Sequence, residues 1–215
     1  MSDPSPEPLP GRDASEVPLS VQLRQETAPA HRRLDHQPVL ACLVGNELTL
    51  DRYRDSLLAL ARVWVPLERW LDQALMASRD DASPFFLPRR QSLLRDLAML
   101  ADGHSHLPAG RWMPVPDGLD AGSPAHRVGC LYVLSGAQMG AVLLERSVAA
   151  ALPDAPRHFL TTRFEDAGPR WLQFRHFLDH RFPLASDQST AIDAANLTFE
   201  AFLSALEHPA RPSSL

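Results

Sequence analysis

The sequence of 215 residues contains no lysine, so all 21 of its basic residues are arginine. That absence excludes chemistry that runs through a lysine amine, including Schiff-base catalysis and the phosphate grip of a P-loop. Any anionic group held here must meet guanidinium, histidine or backbone N–H. Cysteine is nearly missing as well. Cys42 and Cys130 cannot build a disulfide scaffold and suit a reducing cytosol. No unbroken apolar run approaches the roughly 18 residues of a membrane span, and no basic-then-apolar signal segment opens the chain. A cytoplasmic protein without membrane contact is expected. With 26 acidic residues against 21 basic ones, the net charge of −5 removes bulk attraction to nucleic acid. Zinc-finger spacing, a dinucleotide fingerprint and Glu-x-x-His are also absent.

What is present points to helices. The hydrophobic share of 45% supplies the core of one domain. Five of the first 18 residues are proline, set among Ser, Asp and Glu. Such a stretch cannot bury enough apolar surface to order itself, so residues 1–18 are expected to form a flexible tail. Residues 208–215 share that character, which leaves 19–207 as a single all-α helical bundle. Apolar spacing there follows the helical period and almost nowhere alternates.

The spacing predicts a first helix over 20–35, interrupted or kinked at Pro29, and a second that starts at an N-cap, Thr49, and bends at Pro66. A third spans 88–101, closed by Asp102-Gly103, and a Gly/Pro-rich loop runs over 103–122. Ser123-Pro124 announces a long fourth helix, N-cap followed by proline at its first position, reaching about residue 152. Shorter helices are expected over 155–164, 169–181 and 187–207.

Two features carry chemical information. The fourth helix holds Gly129, Gly136 and Gly140, seven and then four residues apart. Each interior glycine costs about 1 kcal/mol relative to alanine, yet the helical period places all three on one face. A face without side chains admits either a flat, bulky ligand or the close approach of another helix. In the first helix His31 and Asp35 are four residues apart and share a face. A carboxylate so placed accepts the second N–H of a metal-bound imidazole and fixes its tautomer, or else makes an ordinary surface contact.

Taken together, these segments resemble the heme (haem) oxygenases. Thr27-x-x-x-His31-x-x-x-Asp35 is similar to their proximal helix, and Tyr132-Val133-Leu134-Ser135-Gly136-Ala137-Gln138-Met139-Gly140 to their glycine-containing distal helix. Trp171-x-x-Phe174-Arg175-x-x-Leu178 and Phe199-x-x-Phe202 resemble the last helices of bacterial members, including those associated with bacteriophytochromes. The resemblance implies an all-α, heme oxygenase-like bundle that opens the heme ring with O2 and external electrons, giving biliverdin, CO and ferrous iron.

It implies His31 as the iron ligand and Asp35 as the group that orients it. Gly136 and Gly140 would let the distal helix approach the heme face. Arg24 and Arg175 would meet the propionates, and Tyr132 would serve as a propionate contact or a pocket wall. The implied partners are an electron donor such as a ferredoxin or a flavin reductase, and a biliverdin acceptor such as a bacteriophytochrome. The sequence departs from the family at Ala137, where many relatives carry an acidic or polar side chain that orders water near the bound oxygen. Two alternatives follow: a non-catalytic heme-binding protein on the same fold, or a thiaminase-like helical enzyme without heme that uses Cys130 or Cys42 as nucleophile. A purely structural helical interaction module is a third.

Overall fold

The structure, a computed structural model, describes residues 17–45, 47–101, 112–161 and 164–207. The expected tails and the Asp102-Gly103 helix end lie outside the described residues, apart from Val17 and Pro18. Seven α-helices follow one another with no strand among the described residues: α1 (Leu19–Asp35), α2 (Pro38–Ala41), α3 (Leu50–Ser78), α4 (Arg90–Leu100), α5 (Pro124–Ala151), α6 (Phe164–Arg181) and α7 (Ala185–Glu207).

Local signals set the ends. Thr49 Oγ1 accepts the N–H of Arg52 at 3.2 Å, and Ser123 Oγ accepts that of His126 at 3.3 Å. Both predicted N-caps are therefore in place, each satisfying a donor that helix geometry leaves without a partner. α3 stops at Arg79, which takes up a left-handed conformation with φ 50°. α4 has its cap from a distance: the buried Glu68 carboxylate of α3 accepts the backbone N–H groups of Arg89 and Arg90 at 2.8–3.1 Å. A carboxylate at a helix N-terminus is favoured by the macrodipole as well as by the hydrogen bonds.

α1 and α3 both run on through their prolines, so α1 is not interrupted at Pro29. Pro29 leaves the Gln25 carbonyl without its helical donor at a place where both residues are exposed. Pro66 frees the Arg62 carbonyl, and the backbone N–H of Met113 takes it at 2.8 Å. The helix expected over 155–164 needs correction: the described residues 155–161 are not helical, and α6 begins at Phe164. The N–H groups of His158 and Phe159 bond the fully buried Asp96 carboxylate of α4 at 3.0 and 2.7 Å, so they are unavailable for helical partners. Finally, α5 is long and apolar enough to cross a membrane, with a mean hydropathy of 1.4 over 18 residues. Arg127, Gly129 and Cys130 are all buried in its first turns. In this bundle α5 is a core helix.

The core gathers where α3, α5 and α7 meet. Trp64 stands edge-on to Phe159 and Phe202, with ring centroids 5.1 and 5.8 Å away. α1 packs its stripe Leu19, Leu23, Thr27 and Ala30 inward. Its first turn is tied to α6 by Ser20, whose N–H and hydroxyl bond the two Asp179 carboxylate oxygens at 2.7 and 2.9 Å. Along α7, Gln22 meets Gln188 and Arg33 meets Glu200, so α1 and α7 run side by side in the same direction.

Candidate functional site

The last two turns of α1 carry the imidazole. The His31 ring is 61% exposed, and its Nδ1 lies 2.8 Å from Asp35 Oδ2. With Nδ1–H donated to that carboxylate, Nε2 keeps its lone pair and faces away from the pair. This is the tautomer a metal ligand needs, and the carboxylate fixes it. The ring stands edge-on to Phe199 of α7, centroids 5.9 Å apart. The preceding residue of α7, Thr198, makes a side-chain hydrogen bond to Cys130 of α5. Adjacent residues of α7 thus touch the proximal part of α1 and the middle of α5.

The glycine face of α5 changes character along its length. A Cβ on Gly129 would fall 2.2 Å from the Ala191 carbonyl oxygen and 2.8 Å from the Ala194 Cβ. Here the bare face serves helix packing, and the three glycines do not share one purpose. At Gly136 the nearest atom to such a Cβ is Cη2 of Trp171, at 3.7 Å, and at Gly140 nothing lies within 4 Å. Past Gly129, then, α7 no longer fills the glycine face, and Gly140 is exposed.

Tyr132 ties the two helices. Burial pushes its phenol above the ordinary value, opposed by a hydrogen bond to Thr27 and by the Arg175 and Arg24 charges. Thr27 also donates its hydroxyl proton to the Leu23 carbonyl at 2.6 Å. One turn beyond Thr27 on α1 stands His31, and one turn beyond Tyr132 on α5 stands Gly136. The charges of Arg24 from α1 and Arg175 from α6 both act on the same phenol, so two guanidinium groups of different helices lie on the side of Tyr132. Guanidinium suits carboxylate recognition.

All seven residues expected from the sequence at the site therefore fall on two helix faces and one neighbouring helix. Sequence reasoning gave no role to Trp171. Its ring packs against Tyr132 with centroids 5.3 Å apart and fills the flank of Gly136. An aromatic three residues before the buried Phe174 on α6 was the available signal. Ala137 is exposed and brings no polar group. Beside it, Ser135, Gln138, Met139 and Trp171 line a cavity of about 20 Å³, into which the Ser135 hydroxyl points without a protein partner. That volume is roughly what one water requires.

The cysteines do not form a second centre. Cys130 is fully buried, and burial pushes its thiol up to about 12, far from the thiolate a nucleophile must present. Cys42 is half-buried, with its thiol 3.3 Å from the Val39 carbonyl.

Comparison with known proteins gives one family. The family model described as "Heme oxygenase" matches residues 17–208. The structure is similar to a heme oxygenase from Leptospira interrogans, with a TM-score of 0.72 and 16% identity, over 89% of this chain and 100% of that one. It is also similar to heme oxygenase-1 from the cyanobacterium Synechocystis sp. PCC6803 in complex with heme, with a TM-score of 0.66 and 19% identity, over 89% and 92% of the two chains. No curated protein sequence matches.

Proposed function

This chain belongs to the heme oxygenase family, and from that premise we propose that it opens heme to biliverdin in the cleft between the His31 face of α1 and the Gly136–Gly140 face of α5. The observation that carries the assignment is the pairing of His31 Nδ1 with Asp35, which leaves an exposed imidazole nitrogen free. Bound heme supplies a redox-active iron and is itself the ring that is opened, with O2 and external electrons consumed and CO and ferrous iron released.

The chain's own groups do the rest. His31 would hold the heme iron through Nε2, with Asp35 fixing its ring and tautomer. Gly136 and Gly140 remove side chains from the distal face, so backbone alone borders the space left for O2. Arg24 and Arg175 hold the propionates, with the charge-assisted pairing that guanidinium makes with carboxylate. Tyr132, its phenol kept neutral by burial, braces α5 against α1 through Thr27. The electron donor is an external protein such as a ferredoxin or a flavin reductase. The biliverdin acceptor is a protein such as a bacteriophytochrome, and the setting is a bacterial cytoplasm.

The test is a hemin titration of wild type and His31→Ala, followed by reductant in air. Wild type is expected to give a saturable Soret shift and then biliverdin. His31→Ala is expected to lose the wild-type Soret position and most turnover. A wild type without a saturable Soret shift would sink the heme reading. Identical behaviour of His31→Ala would remove the ligand assignment alone. Saturable binding without conversion would identify the non-catalytic alternative.

A further inference from the structure

We infer that Trp171 is a specificity-determining wall of the cleft, fixing where heme stops within its own plane and hence which meso edge is opened; this rests on the cleft proposed above. The bare face of α5 is bounded unequally. Beside Gly136 the indole Cη2 lies 3.7 Å from the position of a Cβ, whereas Gly140 has no neighbour within 4 Å. A flat ligand laid on this face is free at the Gly140 end and blocked at the flank of Gly136.

The indole is held in that place. Tyr132 packs on it with ring centroids 5.3 Å apart, and the buried Phe174 packs at 5.9 Å. Tyr132 is in turn anchored to Thr27 on α1. The small cavity that the indole lines with Phe85, Ser135, Gln138, Met139 and Phe174 measures about 20 Å³, far less than an indole occupies, so that space does not accept the displaced ring. A close-packed side chain without room behind it acts as a rigid stop.

A stop matters because the four meso carbons of heme are nearly alike chemically. Selection among them has to come from the orientation of the ring in its pocket. Arg24 and Arg175 engage one edge through carboxylates on flexible propionate chains, which leaves in-plane pivoting available. A fixed wall beside the clamps removes it, since holding a substrate in one orientation is what directs reaction to one of several equivalent positions.

The test compares wild type with Trp171→Ala and Trp171→Phe, each first titrated with hemin to establish an intact Soret. Two readouts follow: chromatographic separation of the biliverdin isomers, and proton NMR of the ferric cyanide complexes. The heme-methyl shifts in the NMR spectra report ring orientation without turnover. Wild type is expected to give one dominant isomer and one set of methyl shifts. Trp171→Ala is expected to give a second isomer and a second or displaced set of methyl shifts, and Trp171→Phe a smaller change in the same direction. Unchanged isomers and unchanged methyl shifts in a heme-loaded Trp171→Ala would overturn the inference. If that variant fails to fold, the same null result in Trp171→Phe overturns it. Failure of wild type to bind heme is read in the titration and sinks the parent reading separately.

Discussion

The two halves of α5 carry the same residue on the same face and use it in opposite ways. At Gly129 the missing Cβ lets the backbone of α7 close in, through the fully buried Ala191, Ala194 and Ala195. Two and three turns later α7 is gone from the face: a Cβ at Gly136 would meet only the Trp171 indole of α6, and one at Gly140 nothing within 4 Å among the described residues. A glycine stripe is therefore not a single signal. What a bare helix face does is decided by whether the neighbouring helix follows it, and here α7 meets α5 only along its first half. The closed half packs the bundle together, and the open half is the part left for the proposed heme face.

The comparison breaks most visibly at Gly129. A methyl group there meets backbone atoms of α7, which have no rotamer with which to retreat. Forcing extra volume into a packed core typically costs about 1–3 kcal/mol, and more where only backbone can yield. Gly129→Ala is therefore expected to lose about 3 kcal/mol in denaturant unfolding of the heme-free protein. A loss below the error of that measurement would mean that α5 and α7 slide apart freely.

Cys130 sharpens the same contrast through pH. Its thiol is fully buried in the closed half, and its value is raised from an ordinary 9 to about 12. Above pH 9 the unfolded chain loses this proton while the folded chain keeps it. The stabilising contribution is thus complete below pH 9 and is lost progressively between pH 9 and 12. One retained proton corresponds to a slope of about 1.4 kcal/mol per pH unit. Tyr53, its phenol pushed up mainly by burial, adds to the alkaline loss, while Arg89, its guanidinium lowered by burial to about 10, opposes it. The clean measurement is therefore a difference. Cys130→Ala is expected to show a shallower decline of unfolding free energy above pH 9 than wild type, and a parallel decline would show that the thiol is accessible to base in the folded state.

Much of this was legible in the sequence wherever the cause is local. Thr49 and Ser123-Pro124 mark helix starts by chemistry within four residues, and the structure has those caps in place. His31 and Asp35 are neighbours through helical spacing alone. Causes that act across the chain were not legible. Residues 158 and 159 spend their N–H groups on Asp96, 62 and 63 positions away, and no periodicity records that. The carbonyl released by Pro66 is taken by Met113 from a distant loop, so proline did not end the helix. Gly129 and Gly140 look identical in the sequence because their difference lies in α7. The charges of Arg24 and Arg175 act on Tyr132 from two other helices, and no spacing in the sequence records that.

Gly140 offers the smallest effect and the sharpest contrast with Gly129. An added Cβ meets nothing within 4 Å, so alanine gains helix propensity without a steric cost. Replacing an interior helical glycine by alanine is worth about 1 kcal/mol, and part of the gain arises in the unfolded chain, which has fewer conformations to lose. Gly140→Ala is therefore expected to stabilise the heme-free protein by up to about 1 kcal/mol. The same methyl group stands on the face proposed for heme, so hemin affinity is expected to fall as stability rises. Gly129→Ala separates the two readouts in the other direction, since its methyl group points at α7 and not at the cleft. A Gly140→Ala variant that is both less stable and unchanged in hemin affinity would show that this half of α5 is closed by a neighbour in solution, and the distinction between the two halves would fail.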